Sequence, residues 1–228
     1  LDTVYELAKK NKKILFIGSD LGPGVLDNFK KKFPERFFME GVAEQAIIGM
    51  AAGLAMQKFR PYVNTIATFI TRRAFEQVVV DLCLHNLPVT LIGNGGGMVY
   101  APLGPTHQAI EDISVMRTIP NMTVIETGDA TEVESICQQA DSIDGPVYCR
   151  ILRGSVPRLF NSPLKIGEIR NLNSGSDILL ITSGICTEEA LRARAALISE
   201  GISILHLHVH TFKPFNEEKI LDLIANIK

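Results

Sequence analysis

The fold is decided by PVTLIGNGGGMVYAPLGPTHQAIED, residues 88–112, an apolar strand followed by a glycine-rich loop and the start of a helix. In a doubly wound sheet, ligands bind at the carboxyl ends of the strands, and this loop is predicted to lie there. Gly95, Gly96, Gly97 and Gly104 permit backbone angles and close approaches that side chains forbid. The run fits neither G-x-G-x-x-G nor a Walker phosphate loop, so it gives only weak support to a generic nucleotide site.

The same alternation of apolar strand and helix extends over residues 1–155. The predicted strands are 13–19, 61–66, 88–94, 122–126 and 146–151, and the predicted helices are 1–11, 23–32, 42–57, 70–85, 107–117 and 130–141. Strands that are apolar throughout and separated by helices indicate a parallel sheet covered on both faces. The sequence therefore predicts an α/β fold with a doubly wound, mainly parallel sheet.

The pattern changes after this region. Residues 156–176 are rich in Pro, Gly, Ser and Asn and are predicted to be a linker. Residues 177–228 begin a second α/β pattern, with strands at 177–182 and 203–209 and helices at 187–201 and 216–227. Because two strands and two helices cannot bury a full doubly wound core, we expect this second domain to be incomplete.

Composition excludes several classes of function. The 228 residues carry a formal net charge of −2 and contain no concentrated basic patch, which leaves no electrostatic case for nucleic acid or an anionic membrane. No apolar run approaches the roughly 18 residues of a membrane span, and the N-terminus lacks the pattern of a signal peptide. Cys83, Cys137, Cys149 and Cys186 form no Cys-x-x-Cys pair and are predicted to be buried reduced thiols, so we expect a cytoplasmic location.

A few residues at predicted strand ends and helix starts are candidates for chemistry. Glu44 is a lone carboxylate at the start of an apolar helix, where it either serves a site or only interacts with the helix dipole. His107 is either functional or a satisfied structural histidine. Phe69 is a stacking platform or a core residue, and Arg72 and Arg73 beside it are functional or simply solvated.

Together these segments resemble the pyrimidine-binding domain of transketolases and deoxyxylulose-phosphate synthases. The resemblance rests on EGVAEQ (40–45), ATF (67–69), the glycine loop and GPTHQ (104–108), and also on KNKKILFIGSDLG (10–22). VHTFKPFNEEKI (209–220) resembles the start of the family's C-terminal domain, so the likeness runs across essentially the whole chain.

The resemblance implies thiamine diphosphate as the cofactor. It implies that Glu44 protonates a ring nitrogen of the aminopyrimidine, and that Phe69 stacks on that ring. It places Asp20 near the thiazolium, where it would offset positive charge, and His107 near the reacting centre, where it would steady developing oxyanions. Arg72 matches an arginine of deoxyxylulose-phosphate synthases.

A partner chain is also implied. The family holds Mg²⁺ and the diphosphate with a Gly-Asp-Gly motif followed by an asparagine, and no such pair occurs in this sequence. We therefore expect a separate diphosphate-binding transketolase subunit that carries the metal, in an α2β2-like assembly. The chain would be the product of a split gene or an excised fragment.

The substrate side departs from the family. Leu103 stands where transketolases have an aspartate that contacts sugar hydroxyls, while Arg153 matches an arginine that contacts the substrate phosphate. These residues predict a sugar-like substrate other than the standard pentose phosphates. The alternatives are a deoxyxylulose-phosphate-synthase-like enzyme, a 2-oxo-acid dehydrogenase beta subunit, a non-catalytic partner with the same fold, and a nucleotide-binding domain without thiamine.

Overall fold

The computed structural model of the chain describes residues 1–19, 24, 26–163, 165–225 and 227. The strands among these residues are β1 (Ile14–Gly18), β2 (Phe37–Met39), β3 (Arg60–Ile66), β4 (Thr90–Asn94), β5 (Thr123–Glu126), β6 (Val147–Ile151), β7 (Arg170–Asn173), β8 (Ile178–Thr182), β9 (Ile204–His208) and β10 (Thr211–Lys213). The helices are α1 (Asp2–Lys10), α2 (Asp27–Lys32), α3 (Glu44–Met56), α4 (Phe75–Gln77), α5 (Asp112–Thr118), α6 (Ala130–Ala140), α7 (Cys186–Ser199) and α8 (Glu217–Ile224).

The described strands form a large sheet and a small one. The large sheet has the order β10-β5-β6-β4-β3-β1-β2, and β1 to β6 pair in parallel. All five strands predicted for residues 1–155 are present, so the predicted doubly wound, mainly parallel fold is confirmed. Strand β2 was not predicted, because three partly exposed residues at a sheet edge carry no alternating pattern.

The central strands are buried on both faces. Leu15, Val63 and Leu91 point into one apolar cluster, which α3 covers with Ile47 and Ala51. Their neighbours along the strands, Ile14, Tyr62 and Ile92, point into a second cluster on the opposite face, together with residues of α1. Because successive side chains of a strand alternate between faces, a strand with helices on both sides must be apolar at every position.

The helix predicted at 23–32 begins only at Asp27, and two other predicted helices differ more strongly from the structure. The helix predicted at 107–117 begins only at Asp112, because Gly97 and Ala109 exchange two backbone hydrogen bonds of 2.7 and 2.9 Å that hold the preceding residues in a loop. The helix predicted at 70–85 is largely π-helical, with π segments Phe69–Arg73 and Val78–Cys83 on either side of α4. Propensity alone does not distinguish these helix types.

The small sheet has the order β7-β9-β8. Strand β7 lies inside the predicted linker 156–176, where its polar sequence RNLN gave no strand signal. Strand β10 leaves the C-terminal region and pairs antiparallel with β5 of the large sheet. The domain boundaries predicted after residues 155 and 176 remain predictions. Strand β10, which follows both boundaries, pairs with β5, which precedes them.

Cysteine burial and membrane character follow directly from the structure. Cys83, Cys137 and Cys149 are buried free thiols, whereas Cys186 is exposed at the start of α7, so the prediction of burial was wrong for that residue. Within the described ranges, every helix is too short or too polar to cross a membrane.

A buried polar network joins the two sheets. Glu132 of α6 contacts Arg170 of β7 at 3.0 Å and His208 of β9 at 3.1 Å, and the Glu132 and His208 side chains are fully buried. His206 and His210 flank His208 and are also fully buried. The junction between the sheets is therefore made of a carboxylate–arginine pair and buried histidines.

Acid should weaken this junction. Burial lowers the pKa of His206 to about 4, with Arg194 and His208 adding to the effect. Burial also lowers the pKa of His210 to about 4, with His208 and Arg170 acting in the same direction and Glu132 opposing them. The unfolded chain protonates these histidines near pH 6.5 and the folded chain only near pH 4, so stability falls as the pH drops through this window. At pH 5 the loss is on the order of 2 kcal/mol per histidine.

Urea unfolding at pH 7 and pH 5 measures this loss. Replacing both histidines by glutamine should remove most of the pH dependence, whereas His85→Gln, at an exposed position, should leave it unchanged. The pKa of Glu132 is lowered in spite of burial, chiefly by His208, so the stability it contributes is lost only at more acidic pH. An equal pH dependence in the double variant and the unmodified chain would contradict the prediction.

Candidate functional site at the carboxyl edge of the sheet

The carboxyl ends of β1, β3 and β4 bring polar side chains together. The hydroxyls of Ser19 and Thr65 lie 2.8 Å apart, and Asn94 donates to the side-chain oxygen of Asn64 at 2.6 Å. Ser19, Asn64 and Thr65 are buried. The parallel order places the ends of these neighbouring strands at one edge, as expected for a ligand site in such a sheet.

Glu44 reaches this edge from the first turn of α3. A tight turn precedes it, in which Gly41 has a φ of 68° and accepts a hydrogen bond from the Ala43 amide. The side chain of Glu44 is only 2% exposed and accepts a 3.4 Å hydrogen bond from the Thr65 hydroxyl. The carboxylate therefore packs against the sheet edge instead of extending into solvent, which favours a site over a simple helix-start acid.

Arg73 is the charged partner of Glu44, a pairing that the sequence did not predict. Its guanidinium donates to Glu44 at 2.6 Å and lies over the ring of Phe69, with 4.2 Å between Cζ and the ring centroid. The spacing of four residues from Phe69 was the available signal, because it places both side chains on one face of a helical segment. Arg73 is partly exposed, so the Glu44 pair opens toward solvent on this side.

The imidazole of His107 packs against the ring of Phe69 near the same edge of the sheet. The two ring centroids are 5.1 Å apart and the rings are nearly perpendicular. The Thr106 hydroxyl lies 2.9 Å from Nδ1 of His107. The structure thus brings together Glu44, Phe69 and His107, three of the predicted site residues, although their roles remain predictions.

Arg72 turns away from this group. It donates to the backbone oxygens of Pro105 at 2.8 Å and Gln108 at 2.9 Å, and it pairs with Glu111. This pair lowers the pKa of Glu111 and raises that of Arg72, mainly through the shared hydrogen bond. In this structure Arg72 clamps the loop that carries His107, and its predicted contact with a cofactor remains a prediction.

The remaining predicted residues lie around the loop or beyond the described chain. Leu103 is 55% exposed. Arg153 is exposed and lies over the ring of Tyr100, with 4.9 Å between Cζ and the ring centroid. Asp20 falls outside the described residues.

The loop glycines make room for neighbouring side chains. A Cβ added to Gly95 would lie 1.9 Å from the Tyr100 ring, and a Cβ on Gly96 would lie 1.8 Å from Nε of Arg150. Gly95 also has a φ of 74°. These glycines are therefore required by packing inside the chain, independently of any ligand.

Exposed apolar side chains surround the site. We call this group the apolar rim; its members lie at or after the ends of β2 and β4 and are Met39, Val42, Met98, Val99, Leu103 and Ile110. Each is at least 37% exposed. Apolar side chains gathered around a polar site are typical of an interaction surface.

Comparison with known proteins identifies the family. The model of the transketolase pyrimidine-binding domain matches residues 2–158, and that of the transketolase C-terminal domain matches residues 167–228. The chain belongs to the transketolase family. Its doubly wound sheet and the small second sheet are the α/β fold of that family.

Similar proteins include two types of enzyme. The 6-deoxy-6-sulfo-D-fructose transketolase subunit SqwH of Clostridium sp. (strain MSTE9) is 36% identical over 97% of this chain and 70% of its own length. The 1-deoxy-D-xylulose-5-phosphate synthase 1 of Geobacter sulfurreducens is 39% identical over 96% of this chain, which spans only 35% of that protein. A solved structure described as a split gene transketolase, inactive beta4 tetramer, is 35% identical with a TM-score of 0.91, over 99% of this chain and 74% of that one.

In the part of the chain that the structure describes, no group of three or more His, Cys, Asp or Glu side chains is arranged to hold a metal ion. The carboxylate nearest the site, Glu44, is already paired with Arg73.

The packing role of Gly95 can be tested by stability. Gly95→Ala should lower the free energy of unfolding by roughly 1–3 kcal/mol, because the Cβ collides with Tyr100 and the backbone is left-handed. Gly53→Ala in α3 meets no atom within 4 Å and should instead raise it by about 0.5–1 kcal/mol. Urea unfolding of both variants gives the comparison, and equal effects would contradict the packing role.

Proposed function

We propose that this chain is the pyrimidine-binding subunit of a thiamine-diphosphate-dependent transketolase that transfers a two-carbon ketol unit. The observation that carries the proposal is the buried carboxylate of Glu44 at the carboxyl edge, beside the ring of Phe69 and below His107. A separate subunit would hold the diphosphate and Mg²⁺.

The residues at this edge fit the aminopyrimidine end of the cofactor. A carboxylate shielded from water can share a proton with a ring nitrogen, and the half-buried face of Phe69 can stack on a flat ring. The Thr68 hydroxyl beside Phe69 is buried without a hydrogen-bond partner among the described residues, so it is available to a bound ring.

The chain's own residues then act by holding protons and charge. When bound, thiamine diphosphate would supply the carbon nucleophile that carries the two-carbon unit. Glu44 would hold a proton at the pyrimidine nitrogen, and Arg73 at 2.6 Å would balance its charge. His107 would donate to an oxygen that becomes negative during transfer. The ring of Phe69 packs against the His107 imidazole and restricts its position.

Several observations support a two-chain enzyme. SqwH is described as a subunit, and the similar solved structure is described as a split gene transketolase that is inactive as a beta4 tetramer. The apolar rim around the site offers a surface that a diphosphate-binding subunit would cover, in an α2β2-like complex.

The substrate is proposed to be a sugar-like molecule that differs from the usual pentose phosphates. Leu103 lies in the loop that carries His107 and exposes an apolar side chain where the family usually has an acceptor for hydroxyls. Arg153 is exposed and is proposed to contact an anionic end of the substrate. SqwH acts, by its description, on a sulfonated deoxy sugar, which supports a departure from standard donors.

Deoxyxylulose-phosphate synthesis is the second candidate. It is favoured by the 39% identity to the Geobacter sulfurreducens synthase, although that likeness covers only 35% of the synthase. Release of carbon dioxide from pyruvate by the reconstituted complex would identify this activity. Ketol transfer between sugars without pyruvate would support the transketolase proposal.

The role of Glu44 is tested by an isosteric change. Glu44→Gln should leave assembly with a subunit carrying Gly-Asp-Gly followed by Asn nearly intact, yet lower activity by at least about a hundredfold, because an amide cannot deliver the proton. NMR of deuterium exchange at the thiazolium carbon reports this step directly. The control Glu76→Gln changes an exposed glutamate of α4 and should have no effect. An unchanged exchange rate in Glu44→Gln would reduce Glu44 to a helix-start acid.

The substrate proposal is tested at Leu103. An apolar residue leaves a substrate hydroxyl unpaired, at a cost of about 1–3 kcal/mol or roughly tenfold to a hundredfold in specificity. Leu103→Asp should therefore shift kcat/KM toward xylulose 5-phosphate, whereas Leu103→Val should not. If the unmodified complex already uses xylulose 5-phosphate at ordinary transketolase efficiency, Leu103 is a neutral variation.

A further inference from the structure

Arg150 of β6 is a nearly buried arginine directly below the loop that carries His107. Its side chain is 13% exposed. One terminal nitrogen donates to the Ala109 oxygen at 3.0 Å, and the other lies 3.1 Å from Glu126. Its Nε lies 3.4 Å from Asp112. Two carboxylates and one backbone oxygen thus hold a single guanidinium.

The carboxylate of Asp112 is itself fixed. It is fully buried and accepts a 2.7 Å hydrogen bond from the Tyr148 hydroxyl. Burial raises the pKa of Asp112, while Arg150 and the Tyr148 hydroxyl oppose the rise. Removing Arg150 would leave this carboxylate without its cationic partner, which is costly in a buried position.

The loop that carries His107 packs closely against the Arg150 guanidinium. A Cβ on Gly96 would lie 1.8 Å from Nε of Arg150, and one on Gly97 would lie 3.3 Å from a terminal nitrogen. Gly97 and Ala109 exchange backbone hydrogen bonds, so Arg150 supports both ends of the segment between them. His107 lies in that segment, two residues before Ala109.

The second α/β unit, residues 177–228, contacts Glu126, one of the two carboxylates that hold Arg150. The Glu126 amide donates to the His210 oxygen at 2.9 Å. A Cβ on Gly184 would lie 2.6 Å from the Glu126 carboxyl carbon, so the turn before α7 packs directly on this carboxylate. A chain of contacts therefore runs from the second unit through Glu126 and Arg150 to the His107 loop.

We infer that Arg150, held by Asp112 and Glu126, is a positioning residue that fixes the His107 loop, and that the packing of Gly184 on Glu126 couples the second α/β unit to it. The inference deepens the proposed function and rests on it only for the role of His107. Arg150 acts through Ala109 and the loop glycines and has no need to touch substrate. One hydrogen bond to the Ala109 oxygen and two ion pairs, to Glu126 and Asp112, use all three nitrogens of a planar guanidinium, a geometry that lysine cannot reproduce.

Hydrogen exchange on the isolated full chain tests the positioning without any assay of activity. In Arg150→Lys, the Ala109 amide should exchange about tenfold faster, because a charge-assisted hydrogen bond to its segment is lost. The Leu91 amide in the core of β4 should keep its protection. The matched control Arg192→Lys changes an exposed arginine that pairs with Glu188 and Glu189 of its own helix, and it should leave both amides unchanged.

The coupling is tested at Gly184. Gly184→Ala should also speed exchange at Ala109, because the added Cβ displaces Glu126. Gly201→Ala is the matched control: both glycines have positive φ, 52° and 85°, but a Cβ on Gly201 meets no atom within 4 Å. If Gly201→Ala and Gly184→Ala change Ala109 equally, the effect is general destabilisation and the coupling is wrong.

Kinetics of the reconstituted complex separate this inference from the proposed function. Arg150→Lys should lower kcat by about tenfold with a smaller change in KM, since the bound state depends on Glu44 and Phe69 while turnover depends on the placement of His107. Unchanged exchange at Ala109 in Arg150→Lys would overturn the inference even in an active complex. Faster exchange together with an inactive unmodified complex would uphold the positioning and reject the proposed function.

Discussion

The structure depends on burial of the parallel sheet on both faces. Leu15 and Ile14 are neighbours in one strand, yet they belong to apolar clusters on opposite sides. Such a sheet has no free face for chemistry, so a polar site that a ligand can reach forms where the strands end. The site at Glu44 and Thr65 is a direct consequence of this constraint, because the strand end supplies Thr65 and the following helices supply the remaining groups.

Three of the charged groups that this packing buries or nearly buries are held by charged partners. Glu44 pairs with Arg73, Glu132 with Arg170 and His208, and Arg150 lies between two carboxylates. A buried pair adds little net stability, but loss of one member is severe, so such groups fix geometry more than they stabilise the fold. The pair at Glu44 differs from the others because its cation, Arg73, is 40% exposed, whereas the arginines of the other pairs are largely buried.

Much of the fold could be predicted because strands buried on both faces leave a continuous apolar signal. Strand β7 and the late start of α5 at Asp112 could not, because the first is a polar edge strand and the second is set by the distant pairing of Gly97 with Ala109. At the site, Glu44 and His107 were recognisable from their motifs. The role of Arg73 was not, since only the folded helix shows that Arg73 faces Glu44 while its neighbour turns away.

The glycine run shows why a motif and its physical cause must be separated. A sequence of three glycines after a strand suggests close approach of a ligand, yet the space around Gly95 and Gly96 is filled by Tyr100 and Arg150. The loop has glycines at these positions because side chains of the protein lie against its backbone. Arg72 holds the other part of the loop by donating to the backbone oxygens of residues 105 and 108. A loop clamped from both sides holds its histidine in place before any ligand arrives, and the charge-stabilising role proposed for His107 would depend on such preorganisation.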